Sequence, residues 1–196
     1  MKVEGFNLAL LGFKIKLLGY AELIGKHIYQ RVHPTLIKKS SHVASIDGVL
    51  NAVIIDGIPV GKSIIQGEGA GPAATTSALI SDISSILRGN IKFPFSISNK
   101  ERKAHKFKDI QDRSFSAYLR FEVKDKPGVL SDITRIFSKN NVSIKRLIQN
   151  PNKNRGSSSI VIITHKTTEI NAKNCLSIFK KNKNILKFPT LIRLYS

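Results

Sequence analysis

The chain has 196 residues, 41% of them hydrophobic, with a single cysteine and a formal net charge of +19. This length suits one domain or two, and the ordinary apolar fraction excludes a disordered chain. One cysteine excludes a disulfide framework and a cysteine metal cluster, so no metal site is expected. No long uncharged apolar run is present, so no membrane span is expected. Lys2 and Glu4 interrupt any signal-peptide layout, and a cytoplasmic protein is the default.

The charge is uneven. Residues 1–96 carry ten Lys and Arg against six Asp and Glu, a net of +4, whereas residues 97–196 carry twenty-two against seven, a net of +15. A basic half can mean nucleic acid or an anionic surface. Here the basic residues are scattered among Asn, Ile and Ser with few interleaved aromatics, so nucleic acid is not expected as a partner.

Taken in order, Met1 to Leu11 reads as the tail of a helix, with Phe6, Leu10 and Val3 on one face and Gly12 as its C-cap. Phe13 to Ala21 alternates as a strand. His27 to Val32 is its hairpin partner, with Gly25 in the turn and Pro34 ending the strand. Val43 to Gly48 is a turn or helical piece. Val49 to Asp56 is the clearest strand, and Asp56-Gly57 is a strong turn signal. Pro59 to Ile65 is the strand that follows. Residues 14–66 are expected to form a small antiparallel sheet with a helix over 72–88 packed on it.

Between that last strand and the helix lies Gln66-Gly67-Glu68-Gly69-Ala70-Gly71-Pro72. Glycines let a turn take positive φ and let a ligand approach the backbone, and Pro72 suits a first helical position. Strand, glycine turn and helix start together form an anion site of exposed N–H groups. The dinucleotide fingerprint is incomplete, however. Its third spacing is absent, and no acidic residue ends a second strand some twenty residues on. A tight structural turn explains the same residues, so this is not a free-standing nucleotide-binding domain.

Gly89-Asn90 ends the helix, and residues 89–113 read as a basic, solvated linker. Ser116 to Val123 alternates as a strand, and Asp125-Lys126-Pro127-Gly128 is a turn. Val129 to Ser138 is an amphipathic helix with Leu130, Ile133 and Phe137 as its stripe, ended by Asn140-Asn141. Strands follow over Val142–Gln149 and Ser157–Thr164. A helix over Ile170–Lys180 uses Cys175, Ile178 and Phe179, with Cys175 as core packing, and Ile185–Leu194 is the last strand. The order βαββαβ predicts one sheet with both helices on one face, ferredoxin-like.

Asp125-Lys126-Pro127-Gly128-Val129-Leu130, followed by Asn141-Val142-Ser143-Ile144, resembles an ACT domain over residues 116–195. ACT domains are regulatory modules that usually pair side by side and bind an amino acid at the interface. The resemblance implies an effector site at Asp125, Gly128, Val129, Leu130 and Ser143. A helix-start turn can receive the ligand's carboxylate there, and Asp125 can hold its ammonium group. Val123 and Ser143 depart from the residues that amino-acid-binding members often carry. A purely structural dimerisation module is the other reading.

Earlier in the chain, Ile15-Lys16-Leu17-Leu18-Gly19, Arg31-Val32-His33-Pro34-Thr35-Leu36-Ile37, Gly48-Val49-Leu50-Asn51-Ala52-Val53 and Gly67 to Pro72 running on to Asp82 occur in order. They resemble the C-terminal part of the catalytic domain of homoserine dehydrogenase. The two resemblances imply an α+β chain: the remnant of a mixed α/β catalytic domain over 1–88, a basic linker over 89–113 and a ferredoxin-like ACT domain over 114–196.

The family interconverts L-aspartate 4-semialdehyde and L-homoserine with NADP or NAD, in threonine, methionine and isoleucine biosynthesis. The resemblance therefore implies a cofactor contact at Gly69, Ala70 and Gly71. It also implies allosteric regulation by an amino-acid effector, with L-threonine as the expected ligand, and a homo-oligomer joined through ACT domains. The family's Rossmann domain and its catalytic residues have no counterpart in this sequence. Lys16 and His33 are strand residues with structural roles, so no catalytic residue is assigned. The chain is expected to be a truncated form that is inactive alone. The alternative is a stand-alone ACT regulatory protein that binds an amino acid.

Overall fold

A computed structural model of the chain describes residues 11–90, 98, 100–152 and 156–195. The helix expected over Met1–Leu11 lies almost wholly outside these residues. In chain order the elements are β1 (Phe13–Ile24), β2 (His27–Lys38), a 3-10 turn (His42–Ser45), β3 (Leu50–Gly57), β4 (Gly61–Glu68) and α1 (Pro72–Leu87). They continue with β5 (Lys106–Phe107), β6 (Ser114–Lys124), α2 (Val129–Lys139), β7 (Ile144–Pro151), β8 (Ser157–Thr164), β9 (Thr167–Thr168), α3 (Glu169–Phe179) and β10 (Ile185–Leu194). Mixed sheet and helix make an α+β protein.

The chain divides into two compact units, one of Met1–Lys39 with Lys106–Ser196, the other of Ser40–His105. These units cut the chain differently from a division at residues 88 and 113. The reason is strand pairing: the β1–β2 hairpin joins the sheet of the C-terminal half.

That sheet runs β1-β2-β10-β6-β8-β7, with β5 beside β2 and β9 beside β6. β2 meets β10 in parallel through Thr35 and Leu36, and β5 also lies parallel to β2. The other neighbours are antiparallel. The expected linker over 89–113 therefore ends in structure, since Lys106 and Phe107 pair with His27 and Ile28.

Pro34 does not end β2 but sits inside it, opposite Leu17. Strand alternation explains this. Lys39 donates to the Gly12 carbonyl, while the Leu36 carbonyl accepts from Tyr195. Even-numbered positions of β2 therefore direct their backbone groups away from β1, and the N–H that proline lacks is one β1 would not have used.

The βαββαβ order is as expected. One face of the sheet and both helices enclose Leu119, Phe121, Val123, Ile133, Ile160 and Ile162. At its centre, Phe121 meets Phe179 edge-on at 4.9 Å and Phe137 at 6.3 Å, and Phe137 meets Phe179 at 5.2 Å. Each such pair contributes about 0.5–1.5 kcal/mol beyond area burial.

Helix α2 turns Val129, Ile133 and Phe137 inward at a spacing of four residues, which lines up on one helix face. Asp132 in its first turn and Lys139 in its last complement the helix dipole. In α3 the buried residues include Ala172, Cys175 and Phe179, whereas Ile178 is exposed, contrary to the expected stripe. Ile178 is adjacent in sequence to the buried Phe179 and so lies about 100° around the helix from it, beyond the edge of the buried stripe. Leu36, Tyr118, Val161, Ile163 and Ile192 form a separate buried cluster.

In the second unit, β3 and β4 form a two-stranded sheet of their own, Leu50 pairing with Glu68 and Gly57 with Gly61. The single sheet expected over 14–66 is thus split. The hairpin turn falls on Ile58-Pro59-Val60, after Asp56-Gly57, because both of those residues remain in β3. Helix α1 buries no residue, so it does not pack on a sheet as expected. Leu79, Ile80, Ile83, Ile86 and Leu87 are all exposed, as are Val53, Ile55, Ile64 and Ile65 of the hairpin. Two strands offer too little surface to bury a helix face and close a core.

Candidate functional site

The first unit holds a cavity of about 300 Å³ where β6 turns into α2. Four expected site residues, Asp125, Gly128, Val129 and Leu130, line it. The turn is built by the backbone. Lys124 donates its N–H to the Asn184 carbonyl at 3.0 Å, and Asp125 donates to Gly156 at 2.9 Å.

Gly128 sits at the helix N-cap with φ 90, a left-handed conformation that a side chain disfavours. Asp132 makes the first helical bond, to the Gly128 carbonyl, and no side chain caps this end. The N–H groups of Val129, Leu130 and Ser131 therefore have no partner within the helix. They point where a carboxylate can be received, backed by the dipole.

Val123 and Ile160, both nearly fully buried, form the apolar floor. Gln149 and Ser158 add a polar wall, with the Gln149 amide donating to the Ser158 hydroxyl at 3.4 Å. Neither was expected from sequence. The signal was present, since Gln149 faces Ile160 across β7–β8, a position where alternation calls for an apolar residue. Chemically, the cavity presents helix-start donors for a carboxylate, the Asp125 carboxylate for an ammonium group and a polar pair for a side chain.

Ser143 does not join this site. It precedes β7 at the end where Ile144 pairs with Thr164, and its carbonyl accepts from the His165 N–H. Gln149 is six residues further on. At roughly 3.3 Å per strand residue the two are about 20 Å apart.

The glycine turn lies in the second unit. Gly69 donates its N–H to the Val49 carbonyl at 2.9 Å, and a Cβ there would collide with the Asn51 side chain. Gly71 is the N-cap of α1 with φ 132, and a Cβ on it would meet nothing within 4 Å. Packing therefore explains one glycine and backbone conformation the other.

A nicotinamide cofactor fits this turn only in part. The side of Gly71 is open, and Ala70, Gly71, Ala73 and Ala74 still carry N–H groups. Pro72 has none, and the nearest cations along the chain are Lys62 and Arg88. That set suits a neutral carboxamide better than a pyrophosphate. Among the described residues no group of His, Cys, Asp and Glu is placed to hold a metal ion. No described helix is long and apolar enough to cross a membrane.

Lys16 and His33 sit in strands. Lys16 pairs with Thr35 across β1–β2, and His33 bonds Thr35 and the Pro34 carbonyl through Nδ1.

A ferredoxin-like sheet of order β10-β6-β8-β7, with its cavity at the first helix start, defines a domain of the ACT type. The ACT profile matches residues 117–183, and that of homoserine dehydrogenase matches residues 7–84. The homoserine dehydrogenase of Neisseria gonorrhoeae is 36% identical over 192 residues, covering 95% of this chain and 44% of the relative. That of Helicobacter pylori is 33% identical over 183 residues, covering 93% and 43%.

A crystal structure of a homoserine dehydrogenase from Thiobacillus denitrificans superposes with a TM-score of 0.83 at 30% identity, over 96% of this chain and 44% of that one. The chain belongs to the homoserine dehydrogenase family. It spans less than half the length of the relatives it matches.

Proposed function

We propose that this chain supplies the effector-binding module and the C-terminal part of the catalytic domain of a homoserine dehydrogenase, which interconverts L-homoserine and L-aspartate 4-semialdehyde. The observation that carries the regulatory part is the cavity at Asp125–Leu130, with its uncapped helix start above an apolar floor. An α-amino acid is the ligand class, and L-threonine is the first candidate. NADP or NAD, when bound, would supply the hydride acceptor, and the Gly69–Gly71 turn would help to hold its nicotinamide end. These 196 residues hold no complete glycine fingerprint and are inactive alone. The single buried cysteine suits a reducing cytoplasm.

Two copies pair through the outer edge of β7, which ends the sheet order and has backbone groups left to satisfy. The apolar residues on α1 and on the β3–β4 hairpin mark a second surface that another protein segment covers. A second reading, an amino-acid sensor without chemistry, is favoured by the uneven cores of the two units.

Isothermal titration with L-threonine and, in parallel, NADP tests both. Threonine binding without NADP binding supports the regulatory assignment. NADP reduction by the chain with homoserine would overturn the claim that it is inactive alone. No threonine binding would remove the effector assignment.

A further inference from the structure

A second cavity of about 200 Å³ lies in the first unit, away from the effector turn. It opens where the β1–β2 hairpin extends the sheet past the start of α3. Its walls carry Arg31, His33, Arg113, Lys166 and Arg193.

The carboxylates beside it are spoken for. Glu169, 2% exposed, holds Arg193 through two bonds of 2.6 and 2.7 Å and stands 3.6 Å from Arg31. Glu22 pairs with Arg113. Among the described residues, three arginines and Lys166 thus face two carboxylates, an excess of two positive charges before His33 is counted. Burial, then the neighbouring Arg193, push Arg31 below its ordinary pKa, against the pull of Glu169.

The guanidinium groups are held in place in advance. Arg31 lies over the Tyr20 ring at 5.2 Å and Arg193 over Phe115 at 5.1 Å. Two buried polar atoms here, Arg31 Nε and His33 Nε2, have no hydrogen-bond partner among the described residues. Such orphans cost stability unless something occupies the site. The Pro34 carbonyl can only accept, so Nδ1 of His33 is the donor there and Nε2 is the free nitrogen. Arg31, Arg193 and Glu169 are the charges that act on that ring.

We propose that this cavity binds a small oxyanion, a carboxylate or a phosphate, with Arg31 and Lys166 supplying the charge and the unpartnered Arg31 Nε–H a hydrogen bond. A planar guanidinium fork matches either group. The cavity is too small for a nucleotide, because sites that enclose larger ligands run to roughly 300–1,000 Å³. The site is separate from the amino-acid cavity and does not depend on it.

The test is isothermal titration of the full chain at low salt with inorganic phosphate and, separately, with malonate. Saturable binding at one site by either is expected, and which anion binds identifies the source. Arg31→Gln should weaken it about tenfold, because the fork is lost. Lys166→Ala, on an exposed residue with little to lose in folding, should weaken it about threefold. Arg135→Gln, on the exposed face of α2, should change nothing, and Lys166→Ala should leave the L-threonine titration unchanged. Failure of both anions to bind would overturn the proposal. So would variants at Arg31 and Lys166 that bind as the parent does, or equal weakening by Arg135→Gln.

Discussion

Replacing Glu169 with Gln keeps its shape and removes the one buried carboxylate that organises Arg193 and Arg31. Each hydrogen bond to a charged group is worth about 1.5–3 kcal/mol, and breaking one side of a fully buried pair costs about 3–5 kcal/mol. The arginines here are 23% and 21% exposed and can regain water. Allowing for that screening, Glu169→Gln should cost about 2–3 kcal/mol.

Urea unfolding followed by circular dichroism measures this as a lower midpoint at unchanged slope. A double-mutant cycle with Arg193→Met isolates the pair, and a coupling of about 2 kcal/mol is expected. Coupling below about 0.5 kcal/mol would show that the pair merely sits together, and the reasoning would fail.

Gly128→Ala forces a side chain onto a left-handed residue and should cost about 1–2 kcal/mol. It should also weaken L-threonine binding by disturbing the helix start, which a parallel titration would show. His33 is held below its ordinary value of 6.5, first by burial and then by Arg193 and Arg31, against the Pro34 carbonyl and Glu169. The unfolded chain therefore takes up its proton first, and stability falls as pH drops below about 6.5 until the lower folded value is passed. Melting curves at pH 7.5 and 5.5 should show that loss, and His33→Gln should reduce it. Burial pushes the Cys175 thiol up to about 11. It should resist a disulfide reagent in the folded chain and react only on unfolding, so rapid labelling of native protein would contradict its core position.

The ACT half was legible in the sequence because its information is local. The strand over Ser116–Val123 and the helix over Val129–Ser138 are written in alternation and in an apolar stripe. Gly128 and Pro127 announce the turn that shapes the cavity. Periodicity also located the β1–β2 hairpin and the glycine turn.

Only the tertiary structure decided which sheet that hairpin joins. Pairing between Thr35 and Arg193 spans more than 150 residues of chain, and no local pattern encodes it. The same long-range pairing brings Arg31 and Arg193 to one buried Glu169, a cavity no spacing could announce. It also placed Ser143 far from Gln149, because one motif can run the length of a strand. The exposed apolar face of α1 reads in sequence like any core helix. Periodicity shows that a face is apolar, while what covers it depends on surfaces elsewhere.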